Sequence, residues 1–137
     1  MPTVESTIPS ILFARVAELA LTPALPVSFP DIPFTPPASA YLEVRHLPNG
    51  NVNLFVGDDA PIQYRGILQI TIVYPSGKGI VAPNEVAGKL VDHFKKGTIL
   101  RSSGVRLRIY EQPSVAAAVQ DTERVRVPVS ILYQVFY

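Results

Sequence analysis

The sequence predicts an α+β domain, a mainly antiparallel sheet flanked by two helices. Three observations lead there. Apolar residues recur at helical spacing twice, near the start and past the middle of the chain. Two-residue alternation fills long stretches between and after those segments. The resulting order (helix, strands, helix, strands) carries no internal repeat and does not interleave strand with helix as a doubly wound fold would. At 137 residues, a single domain over 1–137 is expected. It divides into an N-terminal helical segment 1–21, a proline-rich strap 22–39, and a sheet with one helix over 40–137.

The first helix is expected over residues 6–21. Ile8, Leu12, Val16 and Leu19 share a face, and Arg15 and Glu18 fall on the other side. Pro9 suits only a first turn, which places the start near Thr7 or Ile8. Thr22-Pro23 then ends the helix. The strap opens with TPALPVSFPDIPFTPP, six prolines among apolar residues. Proline cannot donate to a ladder and biases its predecessor toward extended backbone, so this is neither helix interior nor central strand. Its apolar content is too high for a solvated linker. An ordered, extended strap results, laying Phe29, Ile32 and Phe34 on its own domain or on a neighbouring subunit.

From residue 40 the period changes to two. Residues 41–47 and 51–56 flank Pro48-Asn49-Gly50, and Asn-Gly in that setting predicts a hairpin. After a turn at Gly57-Asp58-Asp59-Ala60-Pro61, a strand is expected over 62–74, with Tyr64, Gly66, Leu68, Ile70, Ile72 and Tyr74 on one face. Apolar residues on both faces of its second half predict a central strand covered on both sides. Gly66 marks a bend or the close approach of another backbone. The second helix is expected over 81–96, burying Val86, Leu90, Val91 and Phe94 and exposing Lys89, Asp92, His93 and Lys96, with Gly97 as its cap. Short strands over 99–101, 104–110 and 114–119 precede a last strand over 124–137. There Val125, Val127, Val129, Ile131, Tyr133 and Val135 share a face, and Pro128 on the other predicts an edge or bulge.

Composition narrows the function classes. A formal net charge of +1 argues against a general polyanion binder. With no cysteine, neither a disulfide framework nor a thiolate metal site can form. Charged residues make up 17%, against the usual quarter or so, which favours burial against partners or in one large core. The apolar run 11–21 is broken by Arg15 and Glu18 and preceded by Glu5, unlike a signal core. No stretch reaches membrane-spanning length, so the chain reads as soluble and unprocessed, with no membrane partner.

Motifs for catalysis do not assemble. In Pro75-Ser76-Gly77-Lys78-Gly79 the lysine sits between glycines with no Ser or Thr after it, so the segment reads as a strand-to-helix turn and not a phosphate loop. His46 and His93 are the only histidines and read as solvated; Asp92 and His93, adjacent on a helix, do not share a face. Asp58-Asp59 lacks the rest of a calcium loop. Ser102, Ser103 and Ser114 have no adjacent base. The chain is expected to be no enzyme and to need no cofactor or metal.

Five arginines carry more information. Arg101, Arg106, Arg108, Arg124 and Arg126 alternate with aliphatic residues, so each strand shows guanidiniums on one face. If those strands are neighbours, a basic stripe forms. Its plain reading is a solvated sheet face with Glu111 and Glu123 as counter-charges. Its functional reading is a polar subunit interface, or a pore wall passed by DNA without sequence readout. The closing YQVFY suits an interface strand as well as a core one.

FPDIPFTPP followed by YLEVRHLP, then YRGILQITIVYPSGKG, HFKKGT and VRVPVSILY, form a co-linear series along nearly the whole chain. In this it resembles the tail-terminator-like (tail completion) proteins of long-tailed bacteriophages and prophages. The resemblance implies an α+β subunit that assembles with itself into a ring, typically a hexamer. The ring caps the tail tube, stops its polymerisation and offers a surface to head–neck connector proteins. It implies further partners, the tail tube protein and genome DNA passing through the channel. It places the protein in the virion at the head-proximal end of the tail, after assembly in the host cytoplasm. It also implies no catalysis and no cofactor, and it assigns no catalytic residue; the arginine stripe and the strap contacts come from patterning alone. Two alternatives stay open, a neck or head-completion protein and a small nucleic-acid-binding module.

Overall fold

The computed structural model describes residues 3–21 and 24–137. The expected helix stop at Thr22-Pro23 lies outside the described residues, as does the beginning of the strap. Among the described residues, two helices pack on one face of a curled, mostly antiparallel sheet. The α+β expectation is met. Both helices share one face, so the sheet is covered from one side.

Helix α1 (Val4–Ala17) starts earlier than Pro9 suggested. Thr3 supplies the N-cap, its hydroxyl accepting from the Ser6 amide at 3.3 Å, and Thr7 Oγ1 donates to the Thr3 carbonyl at 2.7 Å. Pro9 therefore sits inside the helix, where its missing N–H leaves the Glu5 carbonyl unserved, a defect worth roughly 3 kcal/mol in a mid-helix position. Burial of Val4, Ile8, Ile11, Leu12 and Val16 in the core offsets it. Helix α2 (Val81–His93) buries Pro83, Val86, Ala87 and Leu90, with Phe94 buried just beyond its end. Gly97 follows with φ +91°, the left-handed geometry that lets the chain turn back toward the sheet.

Strand β1 (Val27–Ser28) belongs to the strap and runs parallel to β2 (Tyr41–Pro48). Strand β3 (Gln63–Pro75) pairs antiparallel with β2 on one side and with the last strand, β8 (Arg124–Phe136), on the other. The other flank of β8 meets β5 (Val105–Ile109), then β6 (Ser114–Val115) and β7 (Val119–Gln120), each along a different part of its length. Strand β4 (Ile99–Ser102) closes the far edge against β5 through a tight turn in which Ser103 and Gly104 both have positive φ.

Two expectations are corrected. The Asn49-Gly50 hairpin does not form: β2 pairs with β3 over its whole length, and of residues 51–56 only Val52 makes a bridge, to Gln63. Pairing with β3 sets Leu42 and Val44 beside Ile72 and Ile70 in the core, a reward the polar NVN segment cannot match. Second, β3 is central but not covered on both sides. Leu68, Ile70 and Ile72 are buried beneath the helices, whereas Ile67, Gln69 and Thr71 on the outer face are half-exposed. Outer-face Val73 is the exception; its cross-strand neighbour Tyr41 is covered by Phe34 of the strap.

Pro128 sits in a doubly paired strand, without a bulge. Its carbonyl accepts from the Ala116 amide at 2.9 Å, so its missing N–H points to the same side, where the chain leaves the ladder between β6 and β7. The ladder is interrupted where the proline could not serve it.

Candidate functional site

Cross-strand partners share a face, so the register maps the outer surface of the sheet. Arg101 lies opposite Arg106, and Arg108 lies opposite both Ile99 and Gln134. On the other side of β8, Arg65 also lies opposite Gln134. Arg65, Arg101, Arg106 and Arg108 thus form one exposed corner around Gln134, on the face without helices. Among the described residues the one ion pair is Arg15–Glu18, so no carboxylate neutralises these four guanidiniums, and Glu111 and Glu123 do not pair with them. Arg65 escaped sequence reasoning because its neighbours in the chain are uncharged; only the β3–β8 register brings it to the group.

Arg126 shares the face but not the corner. It stands opposite Val73, and at about 3.4 Å per residue it is roughly 27 Å along β8 from Gln134. Arg124 is engaged inside the chain. Its guanidinium donates to the carbonyls of Pro37, Ala38 and Ser39 at 2.7, 3.3 and 2.9 Å and lies over the Tyr41 ring. Five planar N–H donors can fan across three carbonyls in this way. Instead of one continuous stripe, the arginines form a corner cluster, a lone Arg126 and a clamp on the strap.

The strap packs on its own domain. Phe29 meets Phe13 of α1 at 5.5 Å between ring centroids, and Phe34 meets Tyr41 at the same distance. Ile32 remains 59% exposed. Between strap, α1 and β2 lies an open groove of about 900 Å³, lined by Phe13, Phe29, Ile32, Phe34 and Leu47 among others. Beyond Glu43, which pairs with Ser28, β2 meets no further strand on this side among the described residues, so its edge borders the groove.

Both histidines are engaged and not merely solvated. His46 Nε2 lies 2.7 Å from Tyr133 Oη. Burial holds the His46 pKa below its ordinary value and pushes the Tyr133 hydroxyl up to about 12, which favours the uncharged form of both partners in this contact. Tyr133 stands opposite Gly66, where a side chain has no room: a Cβ there would lie 2.6 Å from Tyr133 Oη and 2.8 Å from the Leu47 carbonyl oxygen. The close approach expected at Gly66 is real. His93 Nε2–H donates to the Arg15 carbonyl at 2.6 Å while Arg15 Nη2 donates to the His93 carbonyl at 2.9 Å, a reciprocal lock between the C-terminal ends of the two helices. Asp121 turns the chain into β8, and the amides of Arg124 and Glu123 hold its carboxyl below the usual range.

Residues 49–62 form a long loop ending in exposed Leu54, Phe55 and Val56, with Phe55 against Phe136. Asp58 and Asp59 follow at its exposed turn, and residues 76–79 form a turn with positive φ at Gly77 and Gly79. Among the described residues no three His, Cys, Asp or Glu side chains gather to hold a metal, and no helix is long and apolar enough to cross a membrane.

The fold and these surfaces define an α+β domain whose distinctive chemistry lies on exposed faces and edges. The family model for phage tail terminator proteins matches residues 7–133, and the chain belongs to that family, a class of structural virion proteins. One solved structure, 29% identical, superposes with a TM-score of 0.83 over 99% of this chain and 98% of that one. A chain from the virion of a native gene transfer agent particle, 14% identical, superposes with a TM-score of 0.63 over 95% of each, a likeness of fold. No curated protein matches the chain.

Proposed function

We propose that this protein closes into a ring on the head-proximal end of the phage tail tube, ends tube growth and presents the surface that head–neck proteins bind. The observation that carries the reading is the family match across residues 7–133. A heterologous contact that closes on itself explains termination physically. One face of the ring reproduces the acceptor surface of the tube, and the other offers no acceptor for a further tube ring. The subunit is monomeric or weakly associated in solution and assembles on the tube end in the host cytoplasm, as a hexamer, the number typical of such rings.

The helix-free sheet face with Arg65, Arg101, Arg106 and Arg108 then borders the channel. Unpaired guanidiniums there hold passing phosphates by charge alone, without reading bases. The protein performs no reaction in this role and uses no cofactor. Negative-stain imaging of tails made with and without the protein tests the reading. Its loss should give overlong tubes without heads; tubes of normal length joined to heads would refute it.

A further inference from the structure

Two features of the chain are incomplete in one copy. Residues 52–56 have strand-like composition, yet Val52 alone pairs, and Leu54, Phe55 and Val56 project with Val56 fully exposed. Strand β2, in turn, is a sheet edge beyond Glu43 that borders an apolar groove, an arrangement proteins rarely leave uncovered. A strand without a sheet and a sheet edge without a strand are two halves of one contact.

They cannot meet within a copy. Val52 prolongs the β2–β3 ladder by its bridge to Gln63, and beyond it the loop turns to the β8 side of β3, where Ile62 and Tyr137 exchange paired hydrogen bonds and Phe55 leans on Phe136. No residue of 49–62 lines the groove. Charge also suits a meeting between copies. Asp58 and Asp59 follow the tip, and Arg45 lies on the uncovered part of the edge, without an acid partner among the described residues. Asp31 and Glu43, the acids of the groove, belong to the strap and to the part of β2 that β1 already covers.

We propose that the 52–56 tip of one copy adds as a strand to the β2 edge of the next, seating Leu54 or Phe55 in the groove beside Ile32 and Phe34 and bringing Asp58 and Asp59 to Arg45. The occupant is a second copy of this chain, and the contact is heterologous, so it propagates around a circle. The inference rests on the ring proposed above and names its joint.

The cysteine-free chain permits a direct test by disulfide trapping. Tails are assembled with full-length protein carrying Ile32→Cys and Val56→Cys together, with each substitution alone, or with a mixture of the two single variants. After mild oxidation the double variant should give a ladder of covalent multimers on a non-reducing gel. The mixture should give dimers only, and each single variant monomers. Rings visible on tails of the double variant without any ladder would overturn the joint and leave the ring standing. Wild-type tails without rings would overturn both. Val56→Asp, at a fully exposed position, should keep the thermal unfolding midpoint and abolish rings; rings persisting in that variant would also overturn the joint.

Discussion

Replacing Gly66 by alanine tests the tightest contact in the sheet. An added methyl would stand 2.6 Å from Tyr133 Oη, 2.8 Å from the Leu47 oxygen and 2.9 Å from Pro48 Cα, where ordinary contact begins at 3.4 Å. Two of these neighbours are backbone in the paired β2 strand, and the third is the tip of a ring only 1% exposed. None can move without opening the β2–β3 ladder or pulling Tyr133 from His46. Overpacking of this kind costs ~1–3 kcal/mol, and losing the His46–Tyr133 hydrogen bond adds ~1 kcal/mol. Removing a strand glycine returns ~0.5–1 kcal/mol of backbone entropy. The net destabilisation is about 2 kcal/mol, which lowers the urea midpoint by about 1 M for a slope near 2 kcal/mol/M. Tyr133→Phe added to Gly66→Ala should recover part of the loss, because it removes the closest contact and leaves the two backbone ones. A Gly66→Ala protein as stable as wild type would refute the reasoning.

Other outcomes follow from the same contacts. Arg124→Ala should free the strap at a cost of about 1–2 kcal/mol, seen as faster hydrogen exchange over residues 32–39, and Arg124→Lys should not restore it, since one ammonium cannot span three carbonyls. Because the folded state holds His46 below its ordinary pKa, its contribution is complete above about pH 6.5 and fades as the pH falls through the lowered folded value; His46→Gln should flatten that acid limb of urea midpoint against pH. Tyr133 acts in the opposite sense, its contribution complete below about pH 10 and lost as the pH rises toward about 12, and Tyr133→Phe should remove that alkaline loss. Reversing Arg101, Arg106 and Arg108 together to glutamate, all at exposed positions, should leave tail length and head joining intact while genome delivery fails; undiminished infectivity would separate these arginines from the channel.

What could be read from residues alone was whatever one side of one element decides. The alternation from Val125 to Val135 announced β8 because every second residue is buried, and Val86 with Leu90 announced α2 for the same reason at helical spacing. Contacts between distant segments stayed hidden. Arg124 alternates as Arg126 does, and nothing local distinguishes the one that reaches the strap carbonyls from the one that does not. Arg65 joins the arginine corner through strand register, which no local pattern encodes. The Asn49-Gly50 hairpin failed as an expectation because a turn signal is worth little against a long apolar ladder. The early start of α1 was missed for a related reason, since tertiary burial carried the helix through Pro9.

The interruption beside Pro128 has a bearing on how the chain avoids wrong structures. A slip of β8 by two residues would preserve its alternation of buried and exposed side chains, so hydrophobicity alone would tolerate the error. It would also bring the proline ring against an intact stretch of β6 or β7, where an amide donor is required. Only the native alignment lets the missing donor coincide with the missing acceptor. The imino acid thus acts as a proofreading mark for the most heavily paired strand of the molecule, rejecting near-native alternatives that greasiness by itself would accept.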